Sequence, residues 1–243
     1  MFFAGCNLRC VFCQNRAISR GEAGEPVGVG ELRDVFLRLR DQGVHNINLV
    51  TPTHFSGVIA EALAGLSLGV PVVWNSSGYE SAETLRQLSG LVQVYMPDFK
   101  YADAALAARY SAAPDYPEIA LAAITEMLRQ TGPFEMDGDG ILQRGLLIRH
   151  LILPGAPENT LRVIDAVEDR FPAKDILFSL MSQYTPMPGL EAYPELQRTV
   201  SQEEYERCAS YLDFSDIENG YYQTPESAGE EMIPDFDGTG VCE

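Results

Sequence analysis

The sequence predicts an α/β fold in which six parallel strands curve into a partial, TIM-like (β/α)6 barrel. Three observations lead there. Short apolar runs of strand length alternate with stretches whose apolar residues recur at helical spacing. The alternation fills most of a 243-residue chain, a length that suits one large domain. Strand after strand ends in a polar phrase. Repeated strand–helix units imply parallel strands joined by right-handed crossovers. In barrel-like folds of that kind, functional residues gather where the strands end.

The elements follow in order. Met1-Phe2-Phe3 supplies a stub of strand before a cysteine-rich loop, and Gly21 to Pro26 is a flexible link. Gly30 to Gln42 reads as a helix, with Leu32, Val35, Phe36 and Leu39 at helical spacing and Gly43 closing it. Ile47 to Val50 is a strand ending in Thr51-Pro52-Thr53-His54, and a helix follows with Val58, Ile59, Ala62 and Leu63 on its apolar face. Val70 to Trp74 is a strand ending in Asn75-Ser76-Ser77-Gly78-Tyr79, and Ser81 caps the next helix. Leu91 to Met96 is a strand ending in Pro97-Asp98-Phe99-Lys100. Helices are expected over Ala102 to Arg109 and Tyr116 to Gln130, then a hairpin turn over Met136 to Ile141. Leu146 to Leu153 is a buried strand, Asn159 to Arg170 a helix, and Ile176 to Met181 a strand ending in Ser182-Gln183-Tyr184. Gln202 to Leu212 is a last helix capped by Ser201. The barrel domain is therefore expected over residues 1–212. Residues 213–243 carry no Lys or Arg and many acids, and read as a mobile tail in which Tyr221-Tyr222 makes a surface contact.

Composition narrows the function. The apolar fraction of 46% is ordinary for a chain with a real core. No apolar run reaches the ~18 residues of a membrane span, and no signal-peptide pattern opens the chain. Reactive thiols without a secretion signal point to the reducing cytoplasm. A net charge of −18 argues against a general nucleic-acid binder, although it allows a local basic rim.

The chemistry centres on Cys6-Asn7-Leu8-Arg9-Cys10-Val11-Phe12-Cys13, three thiols spaced Cys-x3-Cys-x2-Cys with no fourth Cys nearby. A [4Fe-4S] cluster is usually held by four thiolates, so three leave one iron open, and an open site can bind a reactant. Structural zinc usually shows two Cys-x2-Cys-like knuckles, whereas here there is one tight cluster. Disulfides across such short spacings are strained and leave one thiol over. An electron carrier would need a fourth protein ligand. Cys208, in a helix, and Cys242, in the tail, are not expected to serve.

Phe3-Ala4-Gly5 through Gln14-Asn15, with those three cysteines, resembles the cluster loop of the radical S-adenosylmethionine enzymes. The closest resemblance is to the branch related to pyruvate formate-lyase activating enzyme, and within it to an uncharacterised group sharing phrases such as Ile47 to Phe55. It extends over about residues 1–212, and members generally carry further N-terminal sequence, which implies a start missing here. It implies a radical-SAM barrel and a [4Fe-4S] cluster on Cys6, Cys10 and Cys13, whose fourth iron is chelated by S-adenosylmethionine. It also implies reductive cleavage to a 5'-deoxyadenosyl radical, a flavodoxin- or ferredoxin-type reductant, and a glycyl-radical enzyme or other polypeptide as target. A radical enzyme modifying a small molecule or nucleotide is the main rival.

The same resemblance suggests cosubstrate contacts. Phe12 packs near the adenine. Thr51-Pro52-Thr53 stands where the superfamily often has Gly-Gly-Glu-Pro, so carbonyls or the Thr51 and Thr53 hydroxyls replace an acid in meeting the amine. Asn75 and Ser76 match an Asp-Thr phrase, with Asn75 reduced to a neutral hydrogen bond. Asp98 and Lys100 match an Asp-x-Lys phrase, and Lys100 meets the methionine carboxylate. Arg149, in an apolar strand, needs S-adenosylmethionine or an acid such as Asp98 as partner. Gly155 to Glu158 resembles the end of an adenine-contacting strand. His54 lies on the cluster side without an assigned role, and His150 alternates with Arg149 and faces the other way.

Overall fold

The computed structural model describes residues 1–21, 24–225 and 236. A short helix α1 (Arg16–Ser19) follows the cysteine loop, and α2 (Val29–Asp41) leads to β1 (Ile47–Val50). A 3-10 turn at Thr53–Phe55 runs into α3 (Ser56–Leu63), then β2 (Val72–Ser76), α4 (Ala82–Gln87) and β3 (Val94–Pro97). After α5 (Ala104–Ser111) and α6 (Tyr116–Thr131), the hairpin of β4 (Glu135–Met136) and β5 (Leu142–Leu151) returns the chain to the sheet. It closes with α7 (Pro157–Arg170), β6 (Leu177–Met181), α8 (Gln202–Asp213) and β7 (Gly220–Tyr222).

The strands run β1-β2-β3-β5-β6-β7, each parallel to its neighbour, with β4 antiparallel on β5. Beyond β1, the opening residues add the expected stub: Phe3 N–H donates to Val50 O at 3.0 Å and Val50 N–H to Met1 O at 2.8 Å. Parallel pairing brings the C-terminal ends to one side. Val50 lies opposite Asn75, Ser76 opposite Pro97, and Asp98 opposite Arg149. Leu49, Trp74 and Tyr95 face the helical layer and are fully buried there. Residues one position away face the barrel interior, and this alternation decides which side chains meet. Among the described residues no helix is long and apolar enough to cross a membrane.

Several boundaries differ from the sequence reading. β2 continues through Asn75 and Ser76, because both polar residues keep their ladder bonds to β1 and β3. Leu91 and Val92 turn before β3 instead of joining it. β5 starts four residues earlier than its apolar run, through Leu142-Gln143-Arg144-Gly145, since the hairpin with β4 pairs residues that are polar and partly exposed. The Asp137 carboxylate pins that turn by accepting from the Asp139 and Ile141 amides at 3.0 and 2.9 Å. Ser201 caps α8 as expected, reciprocally with Glu204. Within the stretch read as a tail, Gly220–Tyr222 forms β7 on β6, and Gly220 is obligatory because a Cβ there would lie 1.8 Å from Phe178 O. Tyr221 and Tyr222 are half exposed, with the Tyr222 hydroxyl donating to Asp213 at 2.6 Å. Residues 226–235 and 237–243, including Cys242, lie outside the described residues.

Candidate functional site

The cysteine loop is fastened across the mouth where the strands end. Gly5, at φ +89°, turns the chain into the loop and donates to Ile18 O at 2.9 Å. Arg9 and Val11 amides satisfy the last carbonyls of α5, Ser111 O at 3.2 Å and Tyr110 O at 2.9 Å. The Asn7 side chain donates to Tyr79 O at 2.6 Å, tying the loop to the turn after β2. Leu8 and Phe12 are buried in the main core, so the loop has an anchored side.

The thiols face this anchored side. Cys6 Sγ accepts the Leu8 amide at 3.4 Å, Cys10 Sγ accepts the Ser111 hydroxyl at 3.0 Å, and Cys13 Sγ lies 3.5 Å from Ser19 Oγ. Burial pushes the Cys10 thiol up to about 11, against the opposing pull of the Lys100 ammonium and the Ser111 hydroxyl. Burial likewise raises Cys6, opposed by the Leu8 amide and by Lys100. Each of these two thiols also senses Cys13, so the three lie within electrostatic reach of one another. Among the described residues no three of His, Cys, Asp or Glu are arranged to hold a single ion. A [4Fe-4S] cluster does not ask for that, because each thiolate binds its own iron. Three soft sulfur donors on one short loop suit such a cluster.

Next to the loop, strand ends build a charged network inside the barrel. Asp98 pairs with Arg149 Nη2 at 2.7 Å and with Lys100 Nζ at 2.5 Å. Arg149 Nη2 also donates to Asn75 Oδ1 at 2.6 Å. All three charged side chains are under a quarter exposed. Burial pushes the Asp98 carboxyl upward, but Arg149 and Lys100 more than offset it and hold it below its ordinary value. Burial pulls Lys100 down, yet the charges of Asp98 and Cys10 leave it raised. Within this network Arg149 Nε is buried without a hydrogen-bond partner among the described residues. A buried donor without a partner in the chain is met by water or by a polar ligand. A guanidinium N–H without a partner, beside a second cation and an acid, is chemistry that suits a ligand bearing a carboxylate and an amine, as S-adenosylmethionine does.

The structure brings Asn75, Asp98, Lys100 and Arg149 together beside Cys6, Cys10 and Cys13. It turns two other sequence-derived candidates away. Thr53 and Ser76 hydroxyls point to the helical side, donating to Glu80 at 2.8 and 2.6 Å. Thr51 ends β1 with φ +58°, a conformation unusual for a β-branched residue, and its amide donates to Asn75 O at 2.8 Å. Phe12 is buried with its ring 6.0 Å from that of Tyr184, after β6. His54 is exposed beside Gly5. His150 faces α7 as its alternation with Arg149 requires, bonding Phe99 O at 2.7 Å and Thr160 Oγ1 at 2.9 Å, and burial pushes it down to about 4, so it is a neutral structural residue. Glu158 is taken up by Arg207 of α8. Cys208 is buried in α8.

Sequence reasoning missed Glu80. Its carboxylate is 3% exposed, has no basic partner among the described residues, and accepts from Thr53, Trp74 Nε1 (2.8 Å) and Ser76. Burial raises its pKa against these three donors. It locks the turn after β1 to β2. An acid just before an N-cap serine reads as ordinary helix-start chemistry, so nothing in the sequence marked it.

Gly78 completes the mouth. It sits at φ +73°, and a Cβ there would lie 2.4 Å from Asp98 O. Gly140 has a similar φ of +79° with nothing within 4 Å. Gly140→Ala should therefore show backbone strain alone, about 1–2 kcal/mol. Gly78→Ala should lose clearly more than that in urea unfolding, because it must also displace the strand end carrying Asp98.

Comparison with known proteins agrees with the geometry. MJ0674 of Methanocaldococcus jannaschii, an uncharacterized protein, is 29% identical over 218 residues, a match covering 86% of this chain and 60% of that protein. SuiB of Streptococcus suis bound to its precursor peptide SuiA superposes with TM-score 0.62 at 12% identity, over 92% of this chain and 48% of SuiB. HydG, a maturase of the [FeFe]-hydrogenase, superposes with TM-score 0.59 at 13% identity, over 91% of this chain and 50% of HydG. The chain thus spans 60% of its curated relative and about half of these solved structures, and at such identities the structures speak for the fold alone. The model of the radical SAM superfamily matches residues 1–134, the stretch that holds all three clustered cysteines and the strand ends from Thr51 to Lys100. More than half the chain is matched, its parallel barrel is the expected one, and this protein belongs to the radical SAM superfamily.

Proposed function

We propose that the chain cleaves S-adenosylmethionine reductively on a [4Fe-4S] cluster held by Cys6, Cys10 and Cys13, and that the radical takes a hydrogen atom from a polypeptide. The observation that carries this reading is the juxtaposition of those thiols with the Asn75–Arg149–Asp98–Lys100 network on one mouth. When bound, the cluster supplies an electron and an open iron to the cosubstrate. The chain's own residues do the rest. Lys100 and Arg149 neutralise the methionine carboxylate, with Asp98 fixing both cations so that neither turns to solvent. Asn75 and the turn at Thr51 offer acceptors to amine and ribose. Thr53 and Ser76 act from behind, through Glu80, by setting the turns. Phe12 backs the adenine side.

The target class rests on the resemblance to the activating-enzyme branch. SuiB is described with a precursor peptide bound, and this chain has a fold like it. A glycyl-radical enzyme is the specific polypeptide we favour, and the cytoplasm the compartment where such oxygen-sensitive chemistry and reduced thiols coexist. The test is isotopic. A glycyl-radical enzyme labelled with dideuteroglycine, incubated anaerobically with this protein, S-adenosylmethionine and a reductant, should pass deuterium into 5'-deoxyadenosine. Unlabelled 5'-deoxyadenosine from several such enzymes would reject the glycyl target and leave the cleavage standing.

A further inference from the structure

Behind the cysteine loop runs a chain of hydroxyls that the contacts to the cosubstrate do not use. Cys10 Sγ accepts from the Ser111 hydroxyl at 3.0 Å, and Ser111 Oγ lies 2.7 Å from the Tyr101 hydroxyl. Ser111 is 1% exposed and Tyr101 is fully buried. Tyr101 stands just beyond β3, next to Lys100, and its ring meets Tyr116 edge to face at 5.4 Å. Tyr116 is itself fixed, its hydroxyl donating to Asp98 O at 2.7 Å and accepting the Lys100 amide at 2.9 Å. A phenylalanine at position 101 would fill the same space. A buried tyrosine hydroxyl needs a partner, and Ser111 is the one it has.

Ser111 closes α5 and is engaged twice. Its carbonyl takes the Arg9 amide at 3.2 Å while its hydroxyl reaches Cys10. The direction of the chain follows from the chemistry of sulfur. A metal-bound cysteine is a thiolate and has no proton to give. Ser111 must then donate to Cys10, which leaves its oxygen to accept the Tyr101 proton. Both O–H bonds point the same way, and buried hydrogen bonds in series polarise and strengthen one another. The other two thiols are served differently. Cys6 Sγ accepts a backbone amide at 3.4 Å, and Ser19 Oγ, 3.5 Å from Cys13 Sγ, also donates to Arg16 O at 3.3 Å. Cys10 has the shortest of the three contacts.

We propose that Ser111 and Tyr101 set the reduction potential of the iron–sulfur group through this hydroxyl chain ending on Cys10 Sγ. They are positioning residues that touch no reactant. This rests on the function proposed above, since only a metal group on Cys10 gives the chain an electron to act on. Reduction adds one electron and moves no proton, so both hydroxyl protons stay on their oxygens. The added electron makes the sulfur more negative and the hydrogen bond to it stronger, which favours the reduced form and raises the potential.

The experiment is an anaerobic potentiometric titration of iron-loaded protein with dithionite, read by the electron paramagnetic resonance of the reduced cluster. Ser111→Ala should keep its iron and move the midpoint to more negative potential. At any fixed potential its reduced-to-oxidised ratio should fall about tenfold, which is ~59 mV for a one-electron couple. Tyr101→Phe, which keeps the ring and removes the hydroxyl alone, should shift the midpoint the same way by less. Ser111→Thr keeps a hydroxyl and should titrate like wild type. Ser19→Ala should leave the midpoint in place, because that hydroxyl is shared with Arg16 O. An unchanged midpoint in Ser111→Ala or in Tyr101→Phe would overturn the proposal, as would a Ser111→Thr midpoint displaced as far as that of Ser111→Ala. Iron lost from Ser111→Ala would overturn it too, by making Ser111 a residue that holds the loop in shape. A wild-type protein that shows no reducible [4Fe-4S] signal would instead strike the function proposed above.

Discussion

Replacing Cys6, Cys10 or Cys13 singly by Ala should abolish S-adenosylmethionine cleavage and empty the protein of iron, while the barrel stays folded. The loss should be complete because each thiolate binds its own iron and no further cysteine stands near the loop to replace a lost one. The fold should survive because the loop is pinned by backbone. Gly5, Arg9 and Val11 amides keep their bonds to Ile18, Ser111 and Tyr110 whatever side chain stands at the three positions. Iron analysis and circular dichroism of each variant give the two readouts. The control is Cys208→Ala with Cys242→Ser, which should keep its iron. Iron lost in the control, or kept in a loop variant, would remove these three as the only protein ligands.

Asp98→Asn should be the most damaging change within the charged network. It leaves Lys100 and Arg149, both largely buried, facing each other without a counter-charge. Removing one partner of a buried ionic group costs about 3–5 kcal/mol, and the low end suits side chains that keep some solvent. Lys100→Ala is different, because Asp98 keeps Arg149 at 2.7 Å. It should cost little stability and act on the cosubstrate. A lost charge-assisted hydrogen bond is worth ~1.5–3 kcal/mol, and tenfold in affinity is ~1.4 kcal/mol, so binding should weaken about ten- to a hundredfold. Urea unfolding and anaerobic titration with S-adenosylmethionine separate the two. Equal loss of stability in both variants would make Lys100 a structural ion-pair partner only.

The alternation of apolar runs with helical periods was enough to place the parallel strands. Strand ends were legible for the same reason: once strands are parallel, Thr51, Asn75, Asp98 and Arg149 must share a side. What the sequence did not disclose depends on contacts between distant segments. β5 extends through polar residues because β4 pairs with it, and β7 forms because Gly220 lets the chain approach Phe178. Ser76 read as a cosubstrate contact because, with Asn75, it matches the Asp-Thr phrase of the resembled enzymes. Period-two alternation puts those neighbours on opposite faces, and Glu80, a residue with no sequence signal, claims the Ser76 hydroxyl. Arg149 was expected to need an acid, and Asp98 supplies it from the next strand end.

The measurement closest to the central claim is anaerobic incubation of iron-loaded protein with S-adenosylmethionine and dithionite, followed by quantification of 5'-deoxyadenosine and methionine. Both products should form in equal amounts, dependent on dithionite and absent from the Cys10→Ala variant. A fully iron-loaded protein that binds S-adenosylmethionine yet yields no 5'-deoxyadenosine, or a Cys10→Ala variant that yields as much as wild type, would contradict it.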